Sequence, residues 1–215
     1  MRLALAQLDA LVGDLEGNGE RILAACRQAA SQGADLVLTP ELSLWGYPPR
    51  DLLLRPSLLK AQARVLDGLA AELPPGLALL VGIAEPLPGE GQPALHNAVA
   101  LVQQGGWRVV CRKRLLPSYD VFDERRYFRP GDQAAVLELD CGGRLWRIGL
   151  TICEDLWVEE TPLGQPLAGG DPIAALQGRQ LDLLVNLSSS PFGQGKAALR
   201  RQLAGRAAGR LGVPA

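Results

Sequence analysis

The sequence predicts an α/β protein: a mixed sheet with helices on its outer faces, in one domain spanning residues 1–215. Three observations carry that reading. Continuous apolar runs such as ADLVLT (34–39), typical of strands covered on both faces, alternate with segments of helical periodicity. In the middle of the chain, strand-like runs follow one another across the glycine pairs Gly105-Gly106 and Gly142-Gly143, as antiparallel hairpins do. No linker, internal repeat or low-complexity tract divides the chain, and 215 residues with 47% hydrophobic content are enough for one sizeable core.

The elements follow in order. Arg2–Leu8 is a short apolar strand. Asn18 can cap a helix in which Ile22, Cys26 and Ala29 recur on one face, and which ends near Gly33. Ala34–Thr39 is the next strand. A long helical pattern runs from Asp51 to Leu73 and is stopped by Pro74-Pro75-Gly76. Strands follow at Leu77–Ala84, Asn97–Val102 and Trp107–Arg112. From Leu115 to Asp132 the chain is polar and aromatic with little periodicity, and a loop that long inside a compact domain usually has a function. Ala134–Leu139 and Leu145–Ile152 return to strand; a short helix near Pro172–Gln180 leads to a buried strand, Leu181–Leu187, and a helix spans Lys196–Gly209. Val213-Pro214-Ala215 reads as the first step of a further strand, as in a domain cut short.

Composition narrows the function. With 22 Lys+Arg against 23 Asp+Glu, the chain lacks the basic excess of a nucleic-acid binder. No run approaches the ~18 apolar residues of a membrane span. Gln7, Asp9 and Asp14 interrupt the first apolar run, unlike a signal peptide. The four cysteines (26, 111, 141 and 153) form no C-x-x-C pair, and there is a single histidine, His96. That is a poor supply for a zinc site or a disulfide scaffold, so a reduced, cytoplasmic chain without a metal centre is expected.

In layered α/β proteins the chemistry sits on loops beyond strand ends. Three such places carry reactive side chains: Glu41 after ADLVLT-Pro40, Lys113 after WRVVCR, and Cys153 after WRIGLTI. A thiolate can attack an acyl carbon, with its formation assisted by a neighbouring cation. A carboxylate can take the thiol proton and later activate water. An ammonium group with nearby backbone N–H groups can hold the developing oxyanion. Standing alone, each residue has a plainer reading: a buried small hydrophobe, a helix-entry charge, a solvated strand end. Together they suit attack on an amide or nitrile carbon, and no G-x-S-x-G motif competes.

The blocks PELSLWGYPPRDLLLRP (40–56), RKRLLPSYDVFDERRYFRPG (112–131), LTICEDLW (150–157) and NLSSSPFGQGK (186–196) give the chain its resemblance to a known family. It resembles the carbon–nitrogen hydrolase (nitrilase) superfamily, and within it the glutaminase domains of glutamine-dependent NAD synthetases. The resemblance implies a four-layer α-β-β-α sandwich lacking its last strands and final helix. It implies Glu41 as general base, Lys113 (in K-x-x-L-P) as transition-state stabiliser, Cys153 as nucleophile and Glu124 as the glutamate that orients Lys113. For substrate contacts it implies Glu154 facing the α-ammonium of glutamine, with Tyr47, Tyr119, Ser190 and Lys196 around the rest of the molecule. Lys196 stands where some relatives carry arginine. The implied chemistry is glutamine hydrolysis through a γ-glutamyl thioester. The ammonia would pass to a synthetase domain, which would use ATP and Mg²⁺ to amidate deamido-NAD; the glutaminase half would need no cofactor. No S-G-G-x-D-S loop of such a domain is present, and Gly193-Gln194-Gly195-Lys196 lacks the pattern of a Walker loop. A homo-oligomer is expected.

Two other readings stand beside this one: a stand-alone amidase of the same superfamily acting on another small amide, and a truncated scaffold with an unusable site. His96 is expected to be a hydrogen-bonded structural histidine. Arg125, Arg126 and Arg129 are expected to form a local ion-pair network with Asp120, Asp123 and Glu124 or a subunit contact. Asn186-Leu187-Ser188 matches a glycosylation pattern that has no meaning in the cytoplasm.

Overall fold

A computed structural model of the chain describes residues 1–89, 94–119, 122–157 and 169–215. Its elements run β1 (Leu3–Leu5), α1 (Leu15–Ser31), β2 (Leu36–Leu38), α2 (Pro56–Glu72), β3 (Ala78–Pro86), β4 (Leu95–Gln103), β5 (Gly106–Arg112), β6 (Ala135–Cys141), β7 (Arg144–Ile152), β8 (Leu183–Leu187) and α3 (Lys196–Leu211). One sheet has the order β1-β2-β3-β4-β5, and the second has the order β6-β7-β8. The first is parallel from β1 to β3 and antiparallel through the hairpins to β5; in the second, β6 and β7 form a hairpin and β8 runs parallel to β7.

Side-chain alternation along each strand divides the apolar residues into layers. In β2, Val37 joins the core under α1 and α2, whereas Leu36 and Leu38 join the core between the sheets. In β3 and β4, Leu79, Val81, Ala98 and Ala100 face the helices, while Leu80, Val99 and Leu101 face Ile148, Leu150 and Val185 of the second sheet. Leu184 turns away from that inter-sheet core to pack with Ala207 of α3, beside Ile173 and Leu176. Two helices, two sheets and a third helix therefore stack as the four-layer α-β-β-α sandwich. Continuous apolar runs in β3 and β4 are explained by burial on both faces.

Several boundaries differ from the sequence reading. Asn18 does not cap α1: Asp14 does, accepting from the Gly17 N–H at 3.0 Å. Asn18 lies one turn inside, buried, and its amide ties Leu11 to the Leu44 carbonyl. The Asp51–Leu73 helix is two pieces, a 3-10 turn at Arg50–Leu54 and α2, separated by the extended Arg55 ahead of Pro56. The helix expected near Pro172–Gln180 is a single 3-10 turn, Ala174–Leu176. The first strand is three residues long, not seven. Val213–Ala215 forms no strand, although the Pro214 carbonyl accepts from the Leu184 N–H at 2.9 Å.

Candidate active site

Glu41 sits just past β2, where the chain doubles back over β3. Leu42 takes a left-handed φ of 47°, and the turn is closed by a 2.6 Å bond between the Thr39 and Ser43 hydroxyls. The seat exists because residue 82 is glycine. A Cβ there would lie 2.2 Å from the Leu42 nitrogen and 2.6 Å from the Pro40 carbonyl. Lys113 is placed by the end of β5, its N–H donating to the Asn97 carbonyl (2.8 Å) and its own carbonyl accepting from Gly131 (2.7 Å). Cys153 follows β7 at φ 43° and opens a 3-10 turn. Asp155 braces that elbow: one carboxylate oxygen accepts from the Ile152 N–H, and the other from the N–H groups of Arg114 and Leu115. The loop after Lys113 and the cysteine turn are thus tied to one side chain.

These three strand ends converge. The Lys113 side chain is fully buried, its ammonium 2.7 Å from Glu41 Oε1 and 2.8 Å from Glu124 Oε1. Burial disfavours the charge on Lys113, but Glu124 and Glu41 outweigh it and hold the ammonium well above its ordinary pKa. Burial pushes Glu124 up to about 7, against the pull of Lys113. Glu41 Oε1 also accepts from the Asn97 amide at 2.8 Å, and Oε2 from the Ser189 N–H at 3.3 Å. The Ser188 hydroxyl donates to the Cys153 sulfur at 3.4 Å.

Lys113 acts to lower the thiol pKa, as expected, but burial and the Glu41 carboxylate prevail, and Cys153 is held well above the ordinary value. The sequence says nothing of how deep the elbow lies.

The expected substrate residues divide. Glu154 is buried, accepts from the Tyr119 hydroxyl at 2.6 Å through one oxygen, and leaves its other oxygen without a partner among the described residues. Burial raises its pKa, while Tyr119, Lys113 and Lys196 oppose the shift. Tyr47 points to Glu124, donating to Oε1 at 2.9 Å, and with Phe122 lines a cavity of about 380 Å³. Ser190 lines a cavity of about 430 Å³ with Pro40, Ser188 and Ser189. Lys196 is half-buried as the first residue of α3.

Beyond the cluster, His96 bonds the Arg129 carbonyl at 2.7 Å, a structural contact as expected. Of the arginines, Arg126 pairs with Asp51 at 3.4 Å and Arg125 reaches the Leu116 carbonyl; Asp120 lies outside the described residues. Sequence reasoning did not single out Asn97, Asp155, Ser188 or Ser189. Asn97 had a signal, a polar residue inside the apolar run of β4, and Asp155 is the acid two places after the cysteine.

A thiol on a braced elbow, facing a buried carboxylate–ammonium pair between two sheets, is equipment for a hydrolase that works through an acyl-enzyme. The profile of the carbon-nitrogen hydrolase family matches residues 2–210. The chain belongs to that family. It is 44% identical over 215 residues to the glutamine-dependent NAD(+) synthetase of Synechocystis sp., which covers 99% of this chain and 38% of the relative. The structure of the glutamine-dependent NAD+ synthetase of Acinetobacter baumannii matches at TM-score 0.80 and 31% identity, over 98% of this chain and 36% of that one. An amidase from Nesterenkonia sp. AN1, with acrylamide added to its active-site cysteine, matches at TM-score 0.74 and 26% identity, over 99% of this chain and 76% of its own. The chain spans about a third of the length of the curated relatives it matches.

Proposed function

We propose that this chain is a glutamine amidohydrolase, the ammonia-producing part of a glutamine-dependent NAD synthetase. The observation that carries the hydrolase reading is the buried Glu41–Lys113–Glu124 cluster beside Cys153. In the proposed cycle, Glu41 takes the thiol proton as sulfur attacks the carboxamide carbon, and the carbonyl π pair moves onto oxygen. Lys113 and local N–H groups hold that oxyanion. Glu41 then passes the proton to the departing nitrogen, and ammonia leaves behind a thioester. A water molecule, deprotonated by Glu41, cleaves the thioester and returns the thiol.

Glutamine is preferred over other amides because of Glu154. Its buried, unpartnered oxygen suits an α-ammonium, and the Lys196 charge nearby suits an α-carboxylate. Ser190 and Tyr119 complete the contacts, with Tyr47 acting on Glu124 at the same wall. In this reading the hydrolytic half needs no cofactor; ATP and Mg²⁺ belong to the synthetase domain that receives the ammonia. The chain works in the cytoplasm, consistent with four unpaired thiols, and as a homo-oligomer. Among the described residues no helix is long and apolar enough to cross a membrane.

The amidase reading is favoured by the greater share of the Nesterenkonia chain that is matched. Ammonia release from glutamine, asparagine and simple ω-amides by the 215-residue chain separates the two. Glutamine should give a kcat/KM at least about tenfold above any amide lacking the α-ammonium and α-carboxylate. Preference for a non-amino-acid amide would overturn the glutamine assignment, and no turnover of any amide by the folded chain would favour the scaffold reading.

A further inference from the structure

Asn97 is out of keeping with its surroundings. It lies 1% exposed in β4, a strand whose residues from Leu95 to Val102 are all buried; His96 precedes it, and the apolar run Ala98, Val99, Ala100, Leu101 and Val102 follows directly. Its amide nitrogen donates to Glu41 Oε1 at 2.8 Å, while its amide oxygen is buried without a partner among the described residues. A buried unpaired carbonyl oxygen costs stability, and an aliphatic residue would serve this strand better. The amide cannot be reversed to recover that loss, because its oxygen would then face a carboxylate. The main chain of Asn97 meanwhile accepts from the Lys113 N–H at 2.8 Å. One residue therefore fixes the side chain of Glu41 and the main chain of Lys113.

The two oxygens of Glu41 are unlike. Oε1 is saturated by Lys113 and Asn97. Oε2 faces the segment of Ser188 and Ser189, meeting among the described residues only the Ser189 N–H at 3.3 Å, and this is the segment whose Ser188 hydroxyl reaches the Cys153 sulfur. We propose that Asn97 is a positioning residue for the acid–base step: by occupying Oε1 together with Lys113, it fixes the carboxylate plane so that Oε2 alone exchanges the proton with Cys153 and with the attacking water. The hydrolytic cycle is that of the proposed function, on which this inference rests; the role of Asn97 is added to it.

The charged and titratable groups around Glu41 are Lys113 from the end of β5, Glu124 and Tyr47 from the loop wall, and Cys153 and Glu154 from the elbow after β7. All remain in place when Asn97 is changed, so a shift in pH behaviour reports the missing donor. Asn97→Leu, which matches the strand and removes the orphan oxygen, should fold with an unchanged or higher Tm. Its kcat for ammonia release from glutamine should fall about 100-fold with KM within about threefold, as expected for a misplaced base. The rate at which iodoacetamide alkylates Cys153, followed on the isolated peptide across pH, needs no glutamine. Losing a donor makes a carboxylate hold its proton to higher pH. The acid limb of that profile should therefore move to higher pH.

Wild-type kcat with an unmoved alkylation limb in folded Asn97→Leu would overturn the proposal. So would a lowered Tm with proportionate loss in every readout. If the wild-type chain releases no ammonia from glutamine, yet the alkylation limb moves as described, the glutamine reading fails and the role of Asn97 stands.

Discussion

The two sides of the cleft are built differently. On the five-stranded sheet, Glu41 and Lys113 are buried to the last atom of their side chains, and both Glu41 oxygens and the Lys113 ammonium have protein partners within 2.7–3.3 Å. On the three-stranded sheet, Cys153 sits on a braced elbow, but the residues around it are looser. Ser188, Ser189, Ser190 and Lys196 are half-buried, Phe192 is 95% exposed, and Glu154 keeps one oxygen free. Charges removed from water must be held by partners already in place, so the Glu41–Lys113 pair is assembled before any substrate arrives. The other side keeps unspent hydrogen-bonding capacity, which is what a substrate contact requires. On the proposed function this contrast is a division of labour, in which one sheet fixes the reaction and the other selects the molecule.

That comparison can be broken by substitution. The largest effect belongs to the nucleophile that joins the two sides. Cys153→Ser should reduce ammonia release about a thousand-fold or more, since a hydroxyl cannot replace sulfur here without its own base geometry; a rate near wild type would remove Cys153 from the mechanism. Next comes Lys113→Met. It should lower kcat by about 100- to 1,000-fold with little change in KM. It also leaves Glu41 and Glu124 buried without their cation, and unfolding by urea should show a loss on the order of 3–5 kcal/mol. An effect confined to KM would place Lys113 on the selecting side and abolish the distinction.

Smaller effects should come from the selecting side. Glu154→Gln keeps the shape and the Tyr119 contact but removes the charge, so KM for glutamine should rise about tenfold or more with kcat within a few-fold. Equal loss in kcat would mean that Glu154 belongs to the chemistry.

The smallest effect is in stability against pH. Burial raises Glu124 from an ordinary 4.5 to about 7 and Asp155 from 3.8 to about 6, and Glu154 moves the same way. A carboxyl raised by folding contributes stability that is fully present below its unfolded pKa and is lost as the pH rises through its folded one. Tm should therefore decline by a few degrees between about pH 4 and 7. Asp171 and Asp182, held low by hydrogen bonds and arginine partners, act in the opposite sense only below about pH 4. Glu124→Gln, neutral throughout, should flatten the upper part of the decline; an unaltered slope would mean that Glu124 is ionised in the folded chain across this range.

Much of this was legible in the sequence, for physical reasons that can be named. The strand end bearing Glu41 follows an apolar run that the sandwich covers on both faces, and those bearing Lys113 and Cys153 follow strand-like runs interrupted by arginines on their more exposed positions. Helix limits were harder. Asp14 and Asn18 are both competent caps, and only the tertiary contact of Asn18 with Leu11 and Leu44 decides between them. The helix of 51–73 breaks because Pro56 forces Arg55 into an extended conformation, a signal that was present but masked by the surrounding leucines. At the site, residue types could be read but directions could not. Tyr47 is at the expected wall yet bonds Glu124, and the roles of Gly82 and Asp155 depend on close approaches between segments far apart in sequence.

The central claim is that a carbon–nitrogen bond is broken through sulfur by machinery complete on the buried side. The most direct measurement is rapid acid quenching of the chain mixed with glutamine, followed by mass analysis of the Cys153 peptide. A single glutamyl group attached to Cys153, formed faster than turnover and absent in Cys153→Ala, is the predicted result. Steady ammonia release from glutamine with no cysteine-bound acyl group, or with undiminished release by Cys153→Ala, would contradict it.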